Sequence, residues 1–431
     1  MNAGQALAAV LARERRRVVA HLARSLGLPQ LGLAEDAVQA AALRALECWP
    51  LDGLPANPAG WLYRVARHEA IDALRHDGRA EALPDDESRL PVHPAPAGRF
   101  GGELDDDELA LVFAACHPLL PPATQVALAL RTLAGLELKA IAPLVFASEA
   151  ALAQRLARAR EVLAGQPLRV PAGHELPARR EAVATTLALM FHVGMRAGGR
   201  AGSTEGAHDA MGPCWEAIRL ARALAAHPAT AHGHADALAA LLLLHGARLS
   251  GSIDDAGDIV PLPGQPRDRW DAGMIRMGFV HLQASQRAAQ PSRWHLLAGI
   301  AAEHAIAPDH DRTDWAAIVR YYDALVALDP SAAPRLGHAI ALAEAGEPAA
   351  ARARLDALLP EAPAALRAHT LAALARAHER LGDSGAALDS LARAEACAPH
   401  PADARLLARR REALAEGLRR SSRTRTRPAG R

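Results

Sequence analysis

The stretch that decides the fold is LPPATQVALALRTLAGLELKAIAPLVFASEAALAQRLARAREVL, residues 120–163. Its apolar residues recur at helical spacing in three segments, and Ser148 precedes the third segment at the position of a helix cap. A support helix, a short helix, a turn and a further helix are the layout of a helix-turn-helix. The third segment buries one leucine-rich face, and its other face carries Ala151, Gln154, Arg155 and Arg158. Such a face fits the major groove of DNA, although Ala- and Leu-rich chains also produce this pattern by chance.

Composition extends the helical prediction to the whole chain. Alanine, leucine and arginine dominate the 431 residues, and only 3% are aromatic, so the sequence predicts an all-α protein. The net charge of +1 indicates no nucleic-acid partner by itself, so any such surface must be local. Four widely separated cysteines without CxxC spacing predict free thiols and no metal site. The absence of an 18-residue apolar run and of a signal peptide predicts a cytoplasmic protein without membrane contact.

Changes in composition divide the chain into five parts. Helical pattern fills 1–76, a Pro-, Gly- and charge-rich stretch over 77–103 predicts a flexible linker, and a second helical block covers 104–165. A long Ala/Leu-rich zone over 177–415 predicts a larger helical domain. The remaining 416–431 form a basic tail without an apolar face, for which we expect disorder.

The C-terminal part of the long zone contains a sequence repeat. Small and apolar residues recur in two frames with the offsets of a tetratricopeptide unit, namely Gly346, Ala351, Leu355 and Pro363, then Gly382, Ala387, Leu391, Ala394 and Pro399. Pro330, Pro363 and Pro399 lie 33 and 36 residues apart, close to the 34-residue period of such repeats. The pattern predicts stacked helix pairs, and an ordinary helical bundle with proline-ended helices is the alternative.

A second stretch whose side chains indicate a binding function is GWLYRVARHEAIDALRH, residues 60–76. On a helical wheel its apolar residues gather on one side, while Arg64, His68 and Arg75 gather on the other, with Arg67 at the margin. Basic side chains can neutralise phosphates, and aromatic rings such as Trp61 and Tyr63 can stack on unpaired bases. A solvated basic face with two core aromatic rings is the structural alternative.

Taken together, these stretches resemble bacterial RNA polymerase sigma factors of the extracytoplasmic-function group. LAEDAVQAAALRALECWP and GWLYRVARHEAIDALRH are similar to region two, and residues 120–163 to region four. FAACHPLLPPATQVALALR, EAIRLARAL, DRWD and TDWAAIVRYYDALVALDP resemble landmarks of the subgroup with a C-terminal tetratricopeptide-like extension. The resemblance implies two small sigma domains, joined by the linker, and a larger helical repeat domain.

The resemblance also implies a function and its residues. The protein would bind core RNA polymerase and promoter DNA, with Glu35, Asp36 and Gln39 docking on the polymerase. Contacts to the −10 element would come from Trp61, Tyr63, Arg64, Arg67, His68 and Arg75. Contacts to the −35 element would come from Ser148, Ala151, Gln154, Arg155 and Arg158. The C-terminal domain would regulate in cis, through a protein or ligand that binds its repeats.

Three positions depart from the pattern of the family. Gln39 is followed by Ala40 where an acid is usual, and Pro143 lies inside the first helix of the helix-turn-helix, where it removes a backbone donor. His192 to Met195, HVGM, replaces the Asn-Glu-Gly-Tyr motif of the subgroup.

Other classes of protein fit less of the sequence. We find no GxSxG, P-loop, HExxH or Rossmann pattern, so we expect neither an enzyme nor a cofactor. A tetratricopeptide-type scaffold with a degenerate sigma-like half remains the main alternative, and an operator-binding repressor would leave 1–76 unexplained.

Overall fold

The computed structural model describes residues 3–76, 106–145, 147–198, 210–254, 260–398 and 401–425. Within these ranges the chain forms α-helices and short 3-10 turns without a β-strand, which confirms the all-α prediction. Abundant alanine accounts for this outcome, because alanine loses no side-chain freedom in a helix. The linker predicted over 77–103 lies outside the described residues.

The chain divides into two compact units, and the first contains Met1–Gly194 and Met211–Ala231. Its helices are α1 (Ala3–Leu26), α2 (Leu31–Asp52), α3 (Pro58–His76), α4 (Asp106–Ala115), α5 (Pro122–Thr132), α6 (Leu138–Leu144), α7 (Glu149–Leu163), most of α8 (Leu176–Gly198), and α9 (Gly212–Ala226). Helix α1 packs on α2, α3 and α4, and α5 packs on α4, α6 and α7.

This grouping differs from the predicted division into separate domains over 1–76 and 104–165. The packing of α1 on α4 joins the two blocks. Helix α8 joins them as well, because Arg179 Nη2 donates to the carbonyl of Phe113 at 2.8 Å. In addition, Thr186 Oγ1 donates to Gln125 Oε1 at 2.9 Å. Sequence pattern identifies helices, but such long-range bonds decide which helices share a core.

The second unit contains Met195–Ala210 and His232–Arg431. Its helices are α10 (Gly233–Gly246), α11 (Ala272–Ser285), α12 (Arg293–Ile306), α13 (Trp315–Leu328), α14 (Ala332–Glu344), α15 (Pro348–Leu358), α16 (Ala364–Leu381), α17 (Ser384–Ala396) and α18 (Pro401–Arg425). From α12 onward each helix packs on the next, and α10 packs on α11 and α12. Helix α10 is buried on nearly all sides.

The residues that defined the sequence repeat occupy equivalent places in two helix pairs, α14 with α15 and α16 with α17. The small and apolar residues of the frames are buried, namely Ala351, Leu355, Ala387, Leu391 and Ala394. Gly346 and Gly382 end the first helix of each pair with φ of 92° and 78°, a left-handed conformation that favours glycine. Pro399 lies outside the described residues.

The C-terminal end differs from its prediction. Residues 416–425, expected to begin a disordered tail, continue α18 as far as Arg425. Arg410 and Arg411 tie this helix to Glu379 of α16 and Glu395 of α17, at 2.9 and 3.0 Å. Docked in this way, the helix continues past Ala415, after which residues 416–420 are exposed, because extending a formed helix is far easier than starting one. Residues 426–431 lie outside the described residues.

Candidate nucleic-acid interface

The two aromatic residues at the start of α3 are partly buried. Trp61 meets Trp49 of α2 edge to face, with ring centroids 5.6 Å apart. Tyr63 meets His21 of α1 in the same way at 5.7 Å. Burial raises the pKa of Tyr63 above its ordinary value, although the charge of Arg67 opposes this rise. The rings therefore serve the packing of α1–α3 while retaining exposed surface.

The basic side of α3 lies where the helical wheel placed it. Leu62, Ala66, Ala70 and Leu74 are buried, whereas Arg64, His68 and Arg75 are exposed and Arg67 is partly buried. Arg75 Nη1 lies 3.6 Å from Asp72 Oδ1, one helical turn earlier. An exposed pair of this kind contributes little to stability, so Arg75 can exchange its partner for a phosphate at small cost.

Helices α6 and α7 meet at 97°, a right-angled arrangement suited to presenting the second helix to a groove. Ser148 caps α7 as predicted, because its side chain accepts a hydrogen bond from the Ala151 amide at 3.2 Å. Helix α6 ends at Leu144, directly after Pro143, whose missing donor thus falls in the last turn of the helix.

The two faces of α7 follow the prediction. Leu152, Leu156, Ala159 and Leu163 are buried against the rest of the unit. The candidate reading face carries no ion pair to an acid, with Ala151, Gln154 and Arg158 exposed and Arg155 partly buried among the described residues. Arg158 Nε reaches only the carbonyl of Gln154, at 3.5 Å. Two guanidinium groups and an amide are therefore free to donate to an external acceptor.

The residues predicted to dock on polymerase differ in their exposure to solvent. Asp36 and Gln39 are exposed on α2, but Glu35 is buried, with a fully concealed side chain. Its Oε1 accepts a hydrogen bond from Thr132 Oγ1 at 2.6 Å. Its Oε2 lies 3.3 Å from both Arg131 Nε and Arg160 Nη2. In this conformation Glu35 is unavailable to another protein, contrary to its expected surface role.

Sequence reasoning missed the partners of Glu35. They lie 96, 97 and 125 residues further along the chain, in α5 and α7. Arg160 stands at the edge of the leucine face of α7, and Arg131 lies in the last turn of α5. No local pattern distinguishes these arginines from those expected to meet DNA.

Other kinds of site receive no support within the described ranges. No group of three or more His, Cys, Asp or Glu side chains there could hold a metal ion. No single helix among the same residues is long and apolar enough to cross a bilayer.

Comparisons with known proteins match two parts of the chain to families. Residues 11–80 match sigma-70 region 2, and residues 179–286 match a family of unknown function, DUF6596. An uncharacterized protein of Rhizobium meliloti (strain 1021) is 38% identical over 334 residues, or 76% of this chain and 78% of the relative. No solved structure matches the chain significantly.

The first match coincides with the surface described above. Sigma-70 region 2 spans most of α1 and all of α2 and α3, including the aromatic pair and the exposed basic side of α3. The similarity to the Rhizobium meliloti protein extends over 334 residues, far beyond the sigma-70 region 2 match at residues 11–80. The chain belongs to the same family as this Rhizobium meliloti protein, and the sigma-70 region 2 match at residues 11–80 supports a sigma factor family.

Proposed function

We propose that this protein is a promoter-specificity subunit of RNA polymerase that reads a −10 element with α3 and a −35 element with α7. Sigma-70 region 2 implies a role in transcription initiation and binding to core RNA polymerase and promoter DNA. That match, together with the exposed Arg64, His68 and Arg75 on α3, is the observation that carries the proposal.

At the −10 element the protein must hold bases that have left the duplex. Unstacking a base costs on the order of a few kcal/mol, which binding of the freed base must offset. Trp61 and Tyr63 supply aromatic surface beside Arg64 and Arg67, so stacking and phosphate neutralisation occur together. This combination supports a role for α3 in strand opening.

At the −35 element α7 supplies direct readout. Arg155 and Gln154 can pair with the base edges of guanine and adenine, and Arg158 can reach a base or a phosphate. Ser148 and Ala151 lie at the amino end of the helix, where backbone amides favour a phosphate. The 97° angle between α6 and α7 supports this use of α7.

The decisive experiment is run-off transcription on a genomic fragment library, with sigma-free bacterial core polymerase and the full chain. Discrete transcripts that share two spaced upstream elements are the expected result. The Arg155→Ala/Arg158→Ala variant should lose them, whereas Arg169→Ala, which removes an exposed arginine outside α7, should not. Failure to bind core polymerase and to initiate would contradict the proposal.

We further propose that the second compact unit regulates initiation in cis, through a protein or ligand at its repeat helices. The support is the fusion of a helical-repeat domain to the sigma part. A chain shortened after Ala231 is the variant to compare, since a cut after Leu163 would remove α8 and its bonds to Phe113 and Gln125. Unchanged promoter choice and unchanged activity across growth conditions would contradict regulation in cis.

A tetratricopeptide-type scaffold is the second candidate function. Ala40 and the HVGM segment His192–Met195 favour it, because both replace residues typical of working sigma factors. A scaffold would retain partner binding through its repeat helices but would give no transcripts and no co-elution with core polymerase.

A further inference from the structure

We propose that the pairing of Glu35 with Arg131, Thr132 and Arg160 is an autoinhibitory contact, which conceals a polymerase-docking acid until α5 and α7 move away from α2. The inference rests on the proposed function, because it concerns the availability of Glu35 to core polymerase. We call this set of four residues the latch.

The latch is a specific contact because it satisfies a carboxylate that would otherwise be buried without partners. Thr132 Oγ1 bonds one carboxylate oxygen at 2.6 Å, and Arg131 and Arg160 approach the other at 3.3 Å. Buried ionised groups require such partners, since an isolated charge in the interior is strongly unfavourable. Loss of either arginine therefore destabilises the closed position of Glu35.

Neighbouring residues hold the same contact in place. The guanidinium of Arg160 lies over Gly32, where a Cβ atom would come within 2.9 Å of it. Arg15 Nη1 of α1 donates to the carbonyl of Thr132 at 3.3 Å. Arg131 also reaches Asp36, whose side chain remains mostly exposed. The closed arrangement thus joins α1 and α2 to α5 and α7.

A carboxylate cannot serve two sets of partners at once. Polymerase can use Glu35 only in molecules whose latch is open, so the apparent dissociation constant equals the intrinsic constant divided by the open fraction. Asp36 and Gln39 remain exposed on α2 and provide a first point of contact. The latch therefore lowers the affinity for polymerase while Asp36 and Gln39 stay exposed.

The test uses the full chain and two readouts. Arg131→Ala/Arg160→Ala should increase amide hydrogen exchange over 31–38 of α2 and should tighten binding to core polymerase at least tenfold. The milder Thr132→Val removes one hydrogen bond at nearly constant volume and should shift both readouts in the same direction by less. Lys139→Ala, which removes an exposed lysine paired only with Glu137 among the described residues, is the matched control and should change neither.

The outcomes separate the inference from the proposed function. Unchanged exchange, or faster exchange with unchanged or weaker polymerase binding, would overturn the latch while leaving the sigma function standing. Absence of polymerase binding by every variant, including the unaltered chain, would contradict the proposed function and with it the masking role. Circular dichroism distinguishes either outcome from global unfolding. If the double variant does not fold, hydrogen exchange and polymerase binding of Thr132→Val test the latch instead.

An independent observation in the second unit supports a second proposal. Arg248, Arg267, His304 and His310 gather around Trp270 and Trp315, and we call this set the basic cluster. The guanidinium of Arg267 lies 3.9 Å from the ring centroid of Trp270, and that of Arg248 lies 5.9 Å away. Arg267 Nη1 donates to the carbonyl of His304 at 2.8 Å. His304 and His310 both meet Trp315 edge to face.

Donor groups of the basic cluster lack acceptors among the described residues. Arg248 Nε, Arg267 Nη2, Trp270 Nε1, His304 Nδ1 and His310 Nδ1 are buried there without a hydrogen-bond partner. Glu344 lies 3.7 Å from His310 Nε2, but it also pairs with Arg376 and Arg380, and Asp309 pairs with Arg312. Burial, with a smaller contribution from the charge of Arg267, lowers the pKa of Arg248 to about 10. Buried hydrogen-bond donors nearly always have a partner. Several unpartnered donors in one place therefore indicate a missing acceptor.

We infer that the basic cluster binds a small oxyanion of the phosphate class, free or as a phosphomonoester. Guanidinium groups pair with phosphate oxygens in two-point geometry, and the indole and imidazole donors can supply the remaining hydrogen bonds. Such a ligand would stabilise the unit that we propose to be regulatory.

Calorimetry of the full chain with inorganic phosphate tests this site. Phosphate should raise the melting temperature of the second unit in a saturable way, beyond chloride at equal ionic strength. Arg248→Met should abolish the difference and Arg248→Lys should reduce it, whereas the exposed Arg269→Met in the same loop should retain it. Equal responses to phosphate and chloride, or an unchanged response in Arg248→Met, would overturn the inference. Saturation by a phosphomonoester but not by inorganic phosphate would identify the esterified form as the ligand.

Discussion

At the scale of single residues, burial sets the reactivity of the four cysteines. Cys116 and Cys214 are buried, and burial raises the pKa of each thiol to about 12. Cys48 and Cys397 are partly exposed. Since the thiolate is the reactive form, the two pairs should differ strongly in rate.

Modification with a thiol reagent at pH 8 should therefore label Cys48 and Cys397 in the folded protein and leave the buried pair unlabelled. All four should react in denaturant. Mass spectrometry of the labelled peptides measures the pattern. Rapid labelling of Cys116 or Cys214 in the native chain would show that α4 or α9 opens readily.

The cap of α7 provides a second prediction for a single residue. Ser148→Ala removes the bond to the Ala151 amide and should cost about 1 kcal/mol of helix stability. The same change should weaken DNA binding through α7, because the amino end of the helix loses its fixed position. Native-state hydrogen exchange over 149–155 measures the first effect and fluorescence anisotropy with promoter DNA the second. Unchanged exchange would mean that packing alone holds this helix end.

At the scale of elements, the predictions that succeeded were those that depend on local spacing. The apolar and basic sides of α3 and the two faces of α7 follow from the period of the helix. The position of Ser148 at the start of α7 follows from the preference for serine as a helix cap. The position of Glu35 could not be predicted, since its partners are in α5 and α7. The helical course of α18 to Arg425 also depends on remote partners, Glu379 and Glu395.

Close packing of α13 and α14 yields a prediction at the same scale. At Gly337 of α14 a Cβ atom would lie 2.5 Å from the ring of Tyr322 in α13. Gly337→Ala should therefore destabilise the second unit by about 1–3 kcal/mol through overpacking. Gly417→Ala in α18 meets nothing within 4 Å and should be neutral or stabilising. Calorimetry of both variants measures the difference, and equal melting temperatures would show that Tyr322 relocates freely.

At the scale of the whole molecule, the second unit should respond to acid through His304. Burial lowers the pKa of His304 to about 3, and the neighbouring charges of Arg248, Arg267 and His310 act in the same direction. The folded protein thus keeps this ring neutral at pH values where the unfolded chain binds a proton. Stability is present above the unfolded value of about 6.5 and is lost as the pH falls toward the folded value.

Between pH 7 and pH 5 this one group should remove about 2 kcal/mol of stability from the second unit. His304→Gln should flatten that part of the pH profile, and His174→Gln, at an exposed position of the first unit, should not. Calorimetry in phosphate-free buffer measures the profiles, because an anion at the basic cluster would favour the charged ring. An identical slope in His304→Gln would assign the acid sensitivity to other groups.

The burial of Glu35 also orders events during synthesis. Its partner Arg160 follows 125 residues later, so the ribosome needs on the order of ten seconds to supply it. Until α5 and α7 are made, the acid has no guanidinium from either helix to pair with, and the sigma-70 region 2 helices are already available. If the latch masks Glu35 as we propose, a newly made chain passes through a stage of maximal polymerase affinity before its own later helices close over the acid.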